Sequence, residues 1–465
     1  MTRERSKRIL YGCLTVLMSI QILLGFIWMK KNILTIPLFG DGTEYIQLSD
    51  TFALDEYRPI LYPLFLKVVR KAAAWIQVSF QAPLYLIQTA VSFFSILFSV
   101  ASLDQIIFHK KIMSGKRRAF ELFFSLYLMT IPMMTFMNFS VLTDSLATSV
   151  LLLLLSALMR FRWLDHSPAG TFGLILLSLI TESLLRADRF YSCLLLTVIV
   201  FLARFVKNSG ERKRVLIAMA LTCALTVGAV KGVGSITQTP GLNGRIETNL
   251  DFILLDRVVW PNMKANYNYF SEEIRNTITK KEAKIFDKHN NNVMYQMAPL
   301  LEKRVGKEKA GEMEREMAWV VFFRQPLKVM GDIGEDIAAM TFTPISSMMN
   351  AYGLCKKGDS WNIYCMSSLD EALTKRYNSY YQYSFLGLLL LGILMSIGAF
   401  CRKEDRGVKR LLKSTMPFWG MGLILTLWFC LGDGAPPNDR YALLIYYNWS
   451  VFAAGLLGMW KDGSI

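Results

Sequence analysis

RILYGCLTVLMSIQILLGFIWM, residues 8–29, is the stretch that decides the fold class. A helix needs about 20 consecutive apolar residues to cross the hydrocarbon core of a bilayer, and this stretch has that length. It is too long for a removable signal peptide and has no small-residue cleavage site, so it reads as a retained anchor. Comparable runs recur outward from it, near residues 84–108, 119–137, 141–161, 170–188, 190–206, 215–235, 384–401, 415–432 and 441–460. With 53% hydrophobic and only 19% charged residues, the 465-residue chain lacks the charge that a soluble surface of this size needs. The expectation is an all-α polytopic membrane protein with about ten transmembrane helices.

Lysine and arginine orient it. The N-terminal tail carries Arg3, Arg5, Lys7 and Arg8, and alternate loops repeat the pattern with Lys110, Lys111, Lys116, Arg117 and Arg118. Arg160 and Arg162 follow, then Lys207, Arg212, Lys213 and Arg214, then the loop Arg402–Lys413, and finally Lys461. Threading the spans puts all of these on one side, so both termini are expected in the cytoplasm. Lys30 and Lys31 are the exception and lie outside. The net charge of +16 is therefore topology signal, with anionic membrane lipids as its partner, and calls for no nucleic acid.

Three regions follow. Residues 1–235 form an N-terminal transmembrane module that includes a first outer loop, 32–83; residues 236–383 form a large extracytoplasmic, mainly helical subdomain; residues 384–465 hold the C-terminal transmembrane helices. The loop contains the amphipathic stretch Tyr62–Trp75, punctuated by Lys67, Arg70 and Lys71, which suits a helix lying at the headgroups. In the subdomain, Ser271–Glu314 mixes Glu and Lys as on a solvated helical face. Of the seven cysteines, Cys13, Cys193, Cys223, Cys401 and Cys430 fall in or beside spans and act as small apolar residues. Cys355 and Cys365 lie in the outer segment, where an oxidising exterior allows a disulfide and two free thiols are the alternative.

Ionisable groups at spans are costly and point to function. Asp144 starts the fourth span; Glu182, Arg186, Asp188 and Arg189 surround the join of the fifth and sixth; Asp433, Asp439 and Arg440 sit between the ninth and tenth. The threading brings them to the same outer surface as Asp41 and Glu44; interfacial caps and salt bridges are the plainer reading of each alone. The first outer loop reads Phe39-Gly40-Asp41-Gly42-Thr43-Glu44-Tyr45, then Glu56-Tyr57-Arg58-Pro59-Ile60-Leu61-Tyr62-Pro63-Leu64-Phe65-Leu66. The flanking glycines let the backbone bend Asp41 toward a ligand. If a helix begins near Tyr45, Glu44 falls in its first turn, where a carboxylate complements the dipole.

An acid soon after the first span, then a Tyr helix and Arg-Pro-x-x-Tyr-Pro-Leu-Phe-Leu, resembles the first outer loop of the GT-C superfamily. These are polytopic glycosyltransferases that use polyprenyl-phosphate-linked sugars, among them protein mannosyltransferases and lipid A aminoarabinose transferases. Thr143-Asp144-Ser145-Leu146, Leu185-Arg186, Phe323-Arg324-Gln325-Pro326 and Asp439-Arg440-Tyr441 resemble further family features in the same order along the chain. The loop departs from the family in placing Gly42 after Asp41, where paired acids are common, and in reading Arg58-Pro59-Ile60 for Arg-Pro-Pro.

The resemblance implies a GT-C-like fold and sugar transfer on the outer face of a bacterial cell membrane, onto a glycan, lipid or protein acceptor. Asp41 is then the expected general base. Arg58, Arg186, Arg189 and Arg440 are the expected cations for the donor phosphate, Arg being suited to bidentate contact. Glu44, Tyr45, Tyr62, Asp144 and Asp439 support the substrates. Asp41, Glu44 and Asp144 could share a divalent cation through oxygen ligands, although no cofactor is required. His109, His166 and His289 are scattered, and no Gly-rich nucleotide loop is present. The rival readings are a lipid-linked glycan polymerase or ligase, a flippase or transporter, and a scaffold that has lost catalysis. A transporter calls for charged or broken helices near mid-membrane rather than ionisable residues at outer helix ends.

Overall fold

A computed structural model describes residues 3–33, 42–51, 58–108, 115–164, 169–186, 189–207, 209–237, 258–259, 262–285, 294–342, 371–401, 411–413, 415–418, 420–422, 424, 447 and 450. Among these residues there are helices and no strand. The chain divides into two compact units, one of residues 1–239, 344–422 and 442–465, the other of residues 240–343 and 423–441.

The first unit contains α1 (Arg3–Asn32), α2 (Gly42–Thr51), α3 (Leu61–Trp75), α4 (Gln81–Phe108), α5 (Gly115–Met129) and α6 (Pro132–Asn138). It continues with α7 (Asp144–Trp163), α8 (Ala169–Leu185), α9 (Phe190–Lys207) and α10 (Arg212–Thr237). Five stretches among the described residues are long and apolar enough to cross a membrane: Gly12–Asn32, Gln81–Ile106, Asp144–Trp163, Phe190–Lys207 and Arg212–Val233. Helix α7 is central, with 83% of its apolar window buried. Its serines mate with those of α4: Ser92 and Ser149 lie 2.9 Å apart, and the Ser156 hydroxyl donates to Ser99 Oγ at 2.7 Å. Small hydroxylated residues let two helix backbones come close while satisfying each other's polar groups.

The run 119–137, expected as one span, is broken. Arg117–Met129 and Pro132–Asn138 meet at an angle of 74°. Pro132 has no N–H for the Leu128 carbonyl and disfavours helical geometry in the residue before it, so Ile131 takes φ −57°, ψ 126°. At the break the Thr130 carbonyl accepts Gln21 Nε2 from α1 at 2.7 Å, together with the Tyr377 hydroxyl. Tyr377 belongs to the long helix Glu371–Cys401, which runs without interruption through the expected 383/384 boundary. That helix packs on α1, where Trp28 Nε1 donates to Thr374 Oγ1 at 2.9 Å. The expected span 170–188 is a 17-residue helix ending at Leu185. Ten of the 18 residues of 415–432 and 18 of the 20 of 441–460 lie outside the described residues, as do Cys355 and Cys365.

Arg117, Arg160 and Arg204 mark one end of this unit, its basic end. Arg117 of α5 holds Asp104 of α4, Arg160 of α7 donates to Gln105 at 2.9 Å, and Arg204 of α9 binds Glu211 at 2.7 Å and the Phe161 carbonyl. The opposite end carries the starts of α4 and α7 and the end of α8.

The second unit contains α11 (Met263–Asn266), α12 (Glu272–Thr277), α13 (Lys280–Ile285), α14 (Met294–Val305), α15 (Lys307–Arg324) and α16 (Pro326–Phe342). Val259, Met263, Ile274, Met297, Met317 and Val321 are fully buried in its core. Thr279 and Glu282 form a reciprocal capping box: Glu282 Oε2 accepts the Thr279 N–H at 2.8 Å, and the Glu282 N–H donates to Thr279 Oγ1 at 3.2 Å. Gly306, at φ 86°, makes the turn between α14 and α15. Pro326 then opens α16, the first-turn position where its missing N–H costs nothing.

Two outcomes follow from this packing. A Cβ at Gly25 would lie 2.7 Å from Thr130 Cβ and 3.0 Å from Tyr377 Oη. Gly25→Ala is therefore expected to destabilise the first unit by about 1–3 kcal/mol, read by thermal unfolding of the full chain in detergent. In the second unit, the Arg304 guanidinium beside Glu282 holds its carboxyl down at about 2. A depressed carboxylate stabilises the fold fully above its unfolded value near 4.5, and that contribution disappears as pH falls through about 2. Amide exchange of residues 262–305 is expected to accelerate across that window, and Glu282→Gln should flatten the dependence.

Candidate functional site

Helices α2 and α3 form a hairpin of the first outer loop, pinned by Arg70, whose Nη1 donates to Ser49 Oγ at 2.8 Å and Asp50 Oδ1 at 2.6 Å. Burial on α3 follows a helical stripe, Tyr62, Leu66, Val69 and Ala73. Glu44 falls in the first turn of α2, as expected, and forms an ion pair with Arg58. The Arg58 guanidinium sits 5.5 Å from the centroid of the Tyr45 ring, whose edge meets the buried Tyr62 ring at 5.0 Å and 80°. Glu44, Arg58, Tyr45 and Tyr62 are thus one contiguous stack.

Tyr62 fastens this stack to the bundle. Its hydroxyl donates to Gln88 Oε1 of α4 at 3.1 Å, and Gln88 Nε2 donates to the carbonyls of Asn138 at 2.8 Å and Ser140 at 3.1 Å. The Ser92 and Ser145 hydroxyls both donate to Asn138 Oδ1 at 2.7 Å. Burial pushes the Tyr62 phenol well above its ordinary range, and the neighbouring Tyr45, Asp144 and Tyr85 push it further. Tyr62 therefore stays neutral and keeps donating.

The other half of the site comes from α7 and α8. Asp144 is buried in the first turn of α7, where the dipole favours a carboxylate. Its Oδ1 lies 3.2 Å from Nη1 of Arg186, the residue just beyond α8. One turn earlier the buried Glu182 binds Arg189 Nη1 at 3.1 Å. The Arg186 N–H donates to the Glu182 carbonyl at 2.8 Å, and the Arg189 N–H donates to the Arg186 carbonyl at 3.1 Å, so both pairs share one turn of backbone. Breaking a buried pair strands a charge, so such pairs hold side chains in register more than they add net stability.

The structure thus brings Glu44, Tyr45, Arg58, Tyr62, Asp144 and Arg186 to one end of the bundle, opposite the basic end, with Arg189 on the adjoining turn. Asp41, Asp188, Asp433, Asp439 and Arg440 lie outside the described residues. Among the described residues no three of His, Cys, Asp and Glu gather as a metal site, and Glu44 and Asp144 each hold an arginine. Sequence reasoning missed Gln88 and Asn138, although an amide inside an apolar run is a legible signal.

Arg186→Met, which leaves the Asp144 carboxylate buried without its cation, is expected to cost about 3–5 kcal/mol. The double variant Asp144→Asn/Arg186→Met should recover most of that loss. Thermal unfolding of the full chain in detergent checks both, and equal losses in the two variants would mean that the pair does not act as a unit. No family model, curated protein or solved structure matches the chain.

Proposed function

We propose that the chain is a membrane glycosyltransferase that moves a sugar from a polyprenyl-phosphate donor to an acceptor hydroxyl on the outer face of a bacterial cell membrane. The observation that carries this reading is the run of contacts from Glu44 and Arg58 through Tyr45 to Tyr62, at the same end of the bundle as the pair in which Asp144 holds Arg186. It sets two guanidinium groups in oriented frames at one end of a helix bundle, as binding of a lipid phosphate at a membrane surface demands. The motif order described above supports the GT-C architecture. The basic end then faces the cytoplasm, with both termini, and spans 384–401, 415–432 and 441–460 complete about ten crossings.

In this reading the acceptor oxygen attacks the anomeric carbon while Asp41 takes its proton. The bond from that carbon to the phosphate oxygen breaks, and the prenyl phosphate leaves with the bonding pair, inverting the anomeric centre. The phosphate needs no strong acid but gains charge, which preorganised cations stabilise. Arg58 and Arg186 carry that role, with Arg189 and Arg440 beside them. An arginine has five donors, so a carboxylate and a phosphate can be held at once.

The test is sugar transfer from polyprenyl-phosphate donors in membranes containing the wild-type chain, Asp41→Asn, Arg58→Ala or Glu282→Gln. Asp41→Asn is expected to lose about 100-fold or more, Arg58→Ala to lose most activity, and Glu282→Gln to match wild type. Undiminished transfer by Asp41→Asn removes it as the base, and no transfer from any donor overturns the reading. A parallel assay in EDTA separates metal-assisted transfer from transfer that relies on the arginines.

A further inference from the structure

An exposed cluster of stacked aromatic side chains lies on the second unit. On the outward face of α15 the first half is charged, with Glu308 and Glu312, and the second half, after Glu316 at the boundary, turns aromatic at Trp319 and Phe323. The same character continues onto α16 with Leu327 and Met330. Trp319 is 58% exposed, Phe323 73% and Leu327 87%, whereas Met317, Val321 and Val329 on the inward face enter the core. The Trp319 and Phe323 rings stack at 5.4 Å, and Arg324 covers the Tyr269 ring with its guanidinium 3.1 Å from the centroid. Between them runs an open groove of about 650 Å³, lined by Tyr269, Glu316, Trp319, Val320, Phe323 and Arg324.

We propose that this edge is a membrane-docking surface, seated in the boundary between headgroups and acyl chains of a phospholipid leaflet. Trp and Tyr favour that boundary because each has an apolar body and a polar tip. Leu327 and Met330 offer only hydrocarbon and thioether, which suit acyl chains and offer nothing to a sugar hydroxyl. Arg324 and Lys328 flank the edge and complement anionic headgroups. The charged half of α15 has no place in that layer: Glu308 is eleven residues from Trp319, about 16 Å along the helix. The surface is thus graded along one helix face, as an amphipathic segment entering an interface at one end requires. Chain order supplies the tether, because α10 leads into this unit and the helix Glu371–Cys401 follows it. Tethering turns docking into an intramolecular event, so a small surface suffices.

The proposal rests on reading the chain as membrane-embedded, and the experiment separates the two. The photoreactive residue benzoylphenylalanine is placed singly at Glu308, Glu312, Phe323, Leu327 and Phe94 of the full chain. Phe94 is 65% exposed on α4, within a stretch long and apolar enough to cross a membrane. The variants are irradiated in nanodiscs of phosphatidylethanolamine and phosphatidylglycerol, and adducts are read by mass spectrometry. Phe94, Phe323 and Leu327 are expected to yield lipid adducts, with at least about tenfold more at Phe323 than at Glu312, the contrast between an interfacial and an aqueous position. Lipid adducts at Phe94 but none at Phe323 or Leu327 overturn the docking surface and leave the membrane reading intact. Adducts from Phe323 to a second copy of the chain overturn it in favour of a protein interface. No lipid adduct at Phe94 overturns both.

Discussion

Pro132 cannot donate to the Leu128 carbonyl, which takes the Ile131 N–H at 3.3 Å instead, and the helix breaks at that point. In a medium without water, a broken helix persists only where neighbours satisfy the freed backbone. Here Gln21 and Tyr377 close on the Thr130 carbonyl, so two helices distant in sequence meet at the break. Gly25 allows the approach by offering no Cβ. Beyond the break, α6 leads into residues 138–143, whose carbonyls receive Gln88 and whose end starts α7 at Asp144. The break thus leads the chain directly into the segment that carries Asn138 and Asp144.

The charges near that site are organised as pairs rather than as isolated groups. Asp144 at the start of α7 pairs with Arg186 just beyond α8, Glu182 of α8 pairs with Arg189, and each pair is buried enough that losing a partner strands a charge. Glu44 with Arg58 is more open on its acid side. This arrangement suits a surface that must present oriented guanidinium groups to an anionic ligand, since each carboxylate sets the plane of its arginine before any ligand arrives.

The second unit is built differently. Its helices are short and held by local devices: the Thr279–Glu282 capping box, the Gly306 turn, and Pro326 restarting the chain after Arg324. Its inward stripes fill a methionine-rich core, a residue type that adapts to irregular gaps. Tyr267 and Phe270 enter that core, whereas Trp319 and Phe323 stay outside it, which makes their clustering on one edge informative.

Residue order alone determined the helical character, the apolar stretches, and the helices that carry Glu44 and Tyr62. These rest on period, hydropathy and local turn chemistry, which act over a few residues. Tertiary structure decided what touches what. It turned an expected single span into two helices at 74°, because the cost of Pro132 is tolerated only where Gln21 and Tyr377 can reach Thr130. It paired Asp144 with Arg186 across 42 residues and tied Tyr62 to Asn138 through Gln88. Such partners are set by helix packing in three dimensions, and no spacing along the chain encodes them.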